Sequence, residues 1–301
     1  MENNVKGHLA AIVTVIIWAS TFISTKVLLS SFLPIEILFI RFLLGLAVLL
    51  IVSPKFLPFS SWRQEGYFAL AGIFGVFLYY YLENVALTYT LAMNVGIIGS
   101  ISPFVTALLS RFLLKEGKLK PLFILGFFCS IIGICFISLT GTLNVNPIGD
   151  GLAFIATFFW AGYSLVIKKI GQFGYSTIAI TQRIFIYGLL LMTPVFLYSI
   201  DGFDWARFAD IKNMGNLLFL GVGASALCFV TWNFSVRQLG AVRAAIYIYS
   251  IPMLTTLASV ILLGEQLTIK AGIGILLTLS GLFLSEWPNI AAQRRMKVKS
   301  R

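Results

Sequence analysis

The 301-residue chain is poor in charge, histidine and cysteine, and each shortage closes off a class of function. Charged residues make up 11% of it, against about a quarter in soluble domains. That is too few to cover a water-facing surface. His8 is the only histidine, so neither a histidine-rich metal site nor a Ser-His-Asp triad is expected. No Gly-rich loop ends in Lys-Ser or Lys-Thr, so ATP is not expected to act on the chain directly. Asp150, Asp201, Asp204 and Asp210 fall outside the apolar runs, which leaves no acid cluster for a metal-dependent membrane transferase. No cofactor and no metal are expected. Cys129, Cys135 and Cys228 lie within apolar runs and read as small buried hydrophobes rather than disulfide partners.

Apolar residues, in contrast, reach 59%, and the mean hydropathy is +0.95. Ten runs are long enough to cross a hydrocarbon core of about 30 Å as helices: 9–29, 35–52, 67–88, 93–114, 121–139, 151–170, 176–198, 215–236, 241–263 and 270–287. The longest connection is 199–214, so no soluble domain remains. Barrel strands would alternate apolar and polar residues, and runs such as Ile12 to Trp18 do not. The first run is too long for a signal-peptide core and has no small-residue cleavage site after it. The expected fold is an all-α integral membrane protein of ten transmembrane helices, with the lipid bilayer as its surroundings.

The net charge of +11 does not make a nucleic-acid binder, because the cations sit in short gaps between apolar runs instead of on one folded face. Sixteen of the 22 Lys and Arg fall on the side of the amino terminus and only three on the other. By the positive-inside rule both termini are cytoplasmic, and residues 291–301 form a basic cytoplasmic tail.

The chain also repeats itself. Gly7, Trp18, Lys26 and Arg41 recur as Gly149, Trp160, Lys168 and Arg183 at an offset of 142. Asn84, Pro103, Thr106, Ser110 and Glu116 recur as Asn233, Pro252, Thr255, Ser259 and Glu265 at 149, and Gly126 and Gly133 recur as Gly274 and Gly281 at 148. Two repeats follow, 1–141 and 142–290, of five spans each. Five is odd, so the second half enters the membrane from the opposite side, an arrangement that suits alternating access in secondary transporters.

The polar residues inside the spans are then the candidates for transport. Pro103 and Pro252 stand mid-helix at matching places, where each removes a ladder hydrogen bond and should kink its helix; they are candidate hinges. Thr14, Trp18, Thr21 and Thr25 share one face of the first span, a stripe suited to an amphipathic solute. Trp160, Tyr163, Ser164 and Lys168 partly echo it, while Glu83-Asn84 and Trp232-Asn233 are equivalent pairs. Glu83 is the one acid deep within an expected span, where it either carries a proton, binds an ammonium or pairs with Arg41 or Lys26. Arg41 and Arg183 suit carboxylate recognition or a structural role. Glu116 and Glu265 read as tethers to nearby basic residues. The substrate-binding set expected is Trp18, Thr21, Glu83, Asn84, Trp160, Tyr163, Trp232, Asn233, Tyr247 and Tyr249, with Glu83 as the proton-coupling candidate.

Trp18 to Phe22 leading to Lys26, the stretches from Glu83 and from Leu239, and the endings Pro103 to Glu116 and Pro252 to Glu265 together resemble the drug/metabolite transporter superfamily, in its ten-helix EamA-type branch. The similarity runs over nearly the whole chain, one EamA-type repeat in each half; Lys115-Glu116 departs from the more typical Gly264-Glu265. The resemblance implies a bacterial inner-membrane carrier, commonly an exporter of amino acids or other small metabolites, with a cavity lined by spans 1, 3, 4, 6, 8 and 9. Substrate identity, transport direction, proton coupling and monomer or homodimer stay open at this point. A sensor or enzyme on a transporter-like scaffold is the alternative, and it lacks a catalytic inventory.

Overall fold

A computed structural model describes residues 2–115, 121–138, 147–199 and 203–299, with side chains described for 5–285 of these except Val242. Among the described residues there is no strand. Eight helices are long and apolar enough to cross a membrane, and two shorter apolar helices complete a set of ten. They are α1 (Val5–Leu28), α2 (Pro34–Val52), α3 (Trp62–Tyr89), α4 (Ala92–Leu113), α5 (Pro121–Phe136), α6 (Pro147–Phe173), α7 (Thr177–Tyr198), α8 (Ile211–Leu239), α9 (Arg243–Leu263) and α10 (Ile269–Ser285).

Several helices begin earlier than hydropathy suggests, because their first turns are polar and are set by caps. The Ser61 hydroxyl accepts the Gln64 N–H at 3.3 Å and starts α3 ahead of residue 67. The Asp210 carboxylate accepts the Lys212 N–H at 2.8 Å and starts α8 ahead of residue 215. Each satisfies one of the four backbone donors that a helix start leaves unpaired. Helix α6 begins at Pro147, so Asp150 lies in its first turn and is buried instead of in a loop.

The two halves interlock. Helix α1 packs on α8 and α3 on α6, so the first helix of each half lies against the third helix of the other; α4 packs on α9. Helices α5 and α10 pair along their length through glycines. The Ser130 hydroxyl donates to the Thr278 carbonyl at 3.0 Å across that seam. Lipid offers no hydrophobic force between helices, so such close backbone contact and interhelical hydrogen bonds hold the pair. All three cysteines are free; Cys228 is buried as expected, whereas Cys135 is exposed on the outer surface of α5.

Both prolines interrupt their helices at matching places. In α4 a turn at Ser100–Ile101 separates Ala92–Gly99 from Ser102–Leu113, with Pro103 in the first turn of the second piece. Pro103 cannot donate to the Gly99 carbonyl, and the Ser102 hydroxyl does so instead at 2.6 Å. In α9 a tight 3-10 stretch, Ile246–Ser250, precedes Ile251–Ala258, again with Pro252 in the first turn. The sequence carries no rule for a second pair of irregularities. Helix α3 widens into a π stretch at Gly72–Leu78 and α8 at Phe219–Leu227, overlapping at the offset of 149. π segments recur at functional sites in helices. Here they end directly before Tyr79 and Cys228.

Candidate functional site

Where the halves meet, three tryptophans form a cluster. Trp18 of α1 stands edge-on to Trp160 of α6, with ring centres 5.1 Å apart, and lies 5.1 Å from Trp232 of α8; Trp160 and Trp232 are 5.9 Å apart. The Trp18 indole N–H donates to the Ala224 carbonyl within the π stretch of α8 at 3.2 Å. Phe229 and Tyr79 extend the cluster. All three indoles are buried. A mid-span tryptophan away from the interfacial belt is consistent with an interior wall.

A cavity of about 30 Å³ opens beside this cluster, lined among others by Trp18, Thr21, Tyr79, Tyr80, Glu83 and Trp160. Gly99 and Ser102 at the break of α4, with Ile248 and Ile251 of α9, complete its floor. Helices 1, 3, 4, 6 and 9 of the expected set line it, while α8 supports it from behind through Trp232. A space of this size holds one or two waters, so a solute enters only when the helices part. Glu83 is 3% exposed. Tyr79, one turn earlier on α3, offers its hydroxyl to the carboxylate, and Arg41 lies within electrostatic reach.

Of the ten residues expected to bind substrate, Trp18, Thr21, Glu83 and Trp160 line the cavity. Trp232 sits behind the indole pair. Tyr163 donates to the Asn233 side-chain oxygen at 2.8 Å, and the Asn233 amide donates to Thr181 at 3.0 Å, a buried relay joining α6, α8 and α7. Asn84 faces away; its amide donates to the Pro34 carbonyl at 3.1 Å and ties α3 to the start of α2. Tyr247 is bonded to His8 at 2.6 Å near the amino-terminal face, and Tyr249 lies in a cleft beside α10. Neither tyrosine lines the cavity, because the 3-10 stretch has about three residues per turn and turns Ile248 inward instead. The sequence reading missed Tyr79 and Tyr80. Their signal was visible: they are two of three consecutive tyrosines about one turn before the acid Glu83.

The two intramembrane arginines, related by the repeat, are used differently. Arg183 pairs with Glu65 at 2.8 Å, and Tyr187 donates to the same carboxylate at 2.6 Å. Arg41 is fully buried and forms no ion pair among the described residues.

At the face where α1 ends, three ionisable side chains gather on the turn between α3 and α4. The Lys26 ammonium donates to the Leu87 and Thr90 carbonyls at 2.5 and 2.8 Å. Beyond α9, the Glu265 carboxylate accepts the Ala92 and Met93 N–H groups at 2.9 and 3.2 Å. Asp150 accepts the Thr90 hydroxyl at 2.7 Å and the Asn94 amide at 3.4 Å. Cation at a helix end and anion at a helix start is the favourable sense of the helix dipole. Glu265 is therefore held by backbone donors, with the basic Lys26 within electrostatic reach; Glu116, its counterpart, lies outside the described residues. These contacts draw the ends of α1, α3, α4, α6 and α9 together at that face.

Charge-assisted bonds of this kind contribute about 1.5–3 kcal/mol each. Glu265→Gln is expected to raise the labelling of Gly99→Cys from that face by about tenfold or more, in a chain whose three native cysteines are replaced. A membrane-impermeant thiol reagent reads it, and an unchanged rate would show that Glu265 does not hold the face shut.

Comparison with known proteins agrees with this architecture. A chain called an uncharacterized transporter from Archaeoglobus fulgidus is 28% identical over 288 residues, covering 94% of this chain and 98% of that one. Another uncharacterized transporter, from Clostridium kluyveri, is 25% identical over 311 residues and covers 97% of each. A probable amino-acid metabolite efflux pump of Salmonella typhimurium is 25% identical over 293 residues, covering 93% and 94%. A solved crystal structure, 17% identical, superposes with a TM-score of 0.66 over 93% of this chain and 97% of that one, and so shares the fold. The EamA-like transporter family is matched twice, over residues 5–139 and 147–287, and the chain, a multi-pass membrane protein, belongs to that family.

Proposed function

We propose that this transporter exports small amphipathic metabolites, amino acids above all, by alternating access between the repeats 1–141 and 142–290. Both termini and the basic tail 291–301 lie in the cytoplasm, and the membrane is the bacterial inner membrane. The observation that carries the reading is the small cavity between the halves, which joins an acid, hydroxyls and indoles among largely buried side chains. Indoles and isoleucines suit an apolar side chain, and Glu83 suits an ammonium or a proton. Pro103 and Pro252 serve as hinges, since each stands just after a break that leaves few ladder bonds to strain. Transport is supported by the family to which the chain belongs and by the names of its relatives. The amino-acid class is further supported by the name of the Salmonella relative.

Counterflow of a labelled amino-acid panel in proteoliposomes tests this. Exchange of at least one member well above empty vesicles is expected. Exchange of other metabolites alone would remove the substrate class, and no exchange at all would remove the carrier.

A further inference from the structure

Arg41 is the largest charged side chain enclosed in the protein, with no measurable exposure. Its Nε donates to the Ser225 hydroxyl at 3.0 Å, inside the π stretch of α8. The guanidinium lies over the Tyr80 ring, 4.4 Å from its centre, and 5.3 Å from that of Phe42. Both terminal nitrogens, Nη1 and Nη2, are buried and have no hydrogen-bond partner among the described residues. Arginine does not lose its charge in proteins; Glu83 and the Tyr80 hydroxyl act on it, but no described carboxylate forms an ion pair with it, so the terminal donors still call for an anion in a low-dielectric interior. Packing alone is a poor account of it, because the repeat-related Arg183 has Glu65 for the purpose. At the place on α8 equivalent to Glu65, the offset of 149 puts Met214.

Tyr80 is the partition. One side of its ring carries the guanidinium, and the residue also lines the cavity beside Glu83 and Trp18. Rotation of that one side chain, as the helices part, would join Arg41 to the cavity. The two free nitrogens of a guanidinium match the two oxygens of a carboxylate.

We propose that Arg41 is the carboxylate-recognising group of the transport site, reached past Tyr80 and aimed by Ser225. The proposal rests on the carrier reading above and adds a requirement to it: the solute bears a carboxylate. Glu83 and Arg41 would then take the two ends of a zwitterion, with the aromatic cluster facing its apolar part.

The test is counterflow in proteoliposomes with full-length protein and three labelled probes: leucine, its amide, which keeps only the ammonium, and its keto acid, which keeps only the carboxylate. Wild type is expected to favour leucine over the amide by about tenfold or more, as for a lost charge-assisted bond. Arg41→Met should bring that ratio to about one, and Arg41→Lys should restore part of it. Ser225→Ala, which leaves the charge and removes only its anchor, should lower the ratio a few-fold and keeps the question open to measurement if Arg41→Met does not fold. A ratio unchanged in Ser225→Ala and Arg41→Lys, or a wild type that moves no carboxylated probe, overturns the proposal. Exchange of the keto acid but not leucine would instead overturn the amino-acid reading and leave Arg41 in its role.

Discussion

Glu83→Gln is expected to abolish the response of transport to a pH gradient while exchange of labelled substrate across equal pH persists. Glutamine matches the shape of the acid and keeps a partner for Tyr79, but it cannot change charge. Glu83 lines the cavity at which indoles from both halves meet, so a proton bound there would be exposed to one face and then the other as the halves exchange. Proton coupling is a proposal that stands or falls on this residue. A gradient of one pH unit supplies about 1.4 kcal/mol per proton, or about tenfold accumulation at most. Wild-type vesicles should approach that ratio, and Glu83→Gln vesicles should stay near one. The sign of the gradient that drives uptake also separates exchange against protons from movement with them. Accumulation that survives in Glu83→Gln would take Glu83 out of the coupling mechanism.

Gly281→Val is expected to separate α5 from α10 and to destabilise the protein strongly. A Cβ at Gly281 would meet the Gly126 carbonyl and the Ser130 hydroxyl, and one at Gly126 would meet the Gly281 carbonyl. These neighbours are largely backbone, so they cannot turn aside as a side-chain tip can. Overpacking a tight core costs about 1–3 kcal/mol, and here the Ser130–Thr278 bond is lost as well. The melting temperature of the detergent-solubilised protein should fall well below that of Gly66→Ala, whose Cβ would meet nothing within 4 Å. Equal melting of the two variants would show that the seam tolerates a side chain and is not close-packed.

The site was legible in part. Trp18 and Trp160 announced themselves as indoles at equivalent depths in equivalent spans, and both line the cavity. Glu83 stood out because a carboxylate in a membrane is costly unless it has work or a partner. The prolines located the breaks in α4 and α9 to within a turn, since a missing N–H acts on the preceding residues. Tyr247 and Tyr249 fall outside the cavity for a connected reason. A face drawn with 3.6 residues per turn no longer holds once the same proline-led break tightens the helix to three.

Periodicity, hydropathy and self-similarity are local or additive properties, and by themselves they determined ten helices, two repeats of five and the place of both breaks. Which polar groups meet is a matter of how helices far apart in sequence are packed, and only the tertiary structure decided it. Lys26, Asp150 and Glu265 converge on one turn although 239 residues separate the first from the last. Arg41 and Arg183 occupy equivalent positions in the repeat, yet one finds an acid and the other faces an aromatic ring. A span's composition states how much polarity the membrane must hide; the neighbours across the interface settle whether that polarity is neutralised or left free to receive a solute.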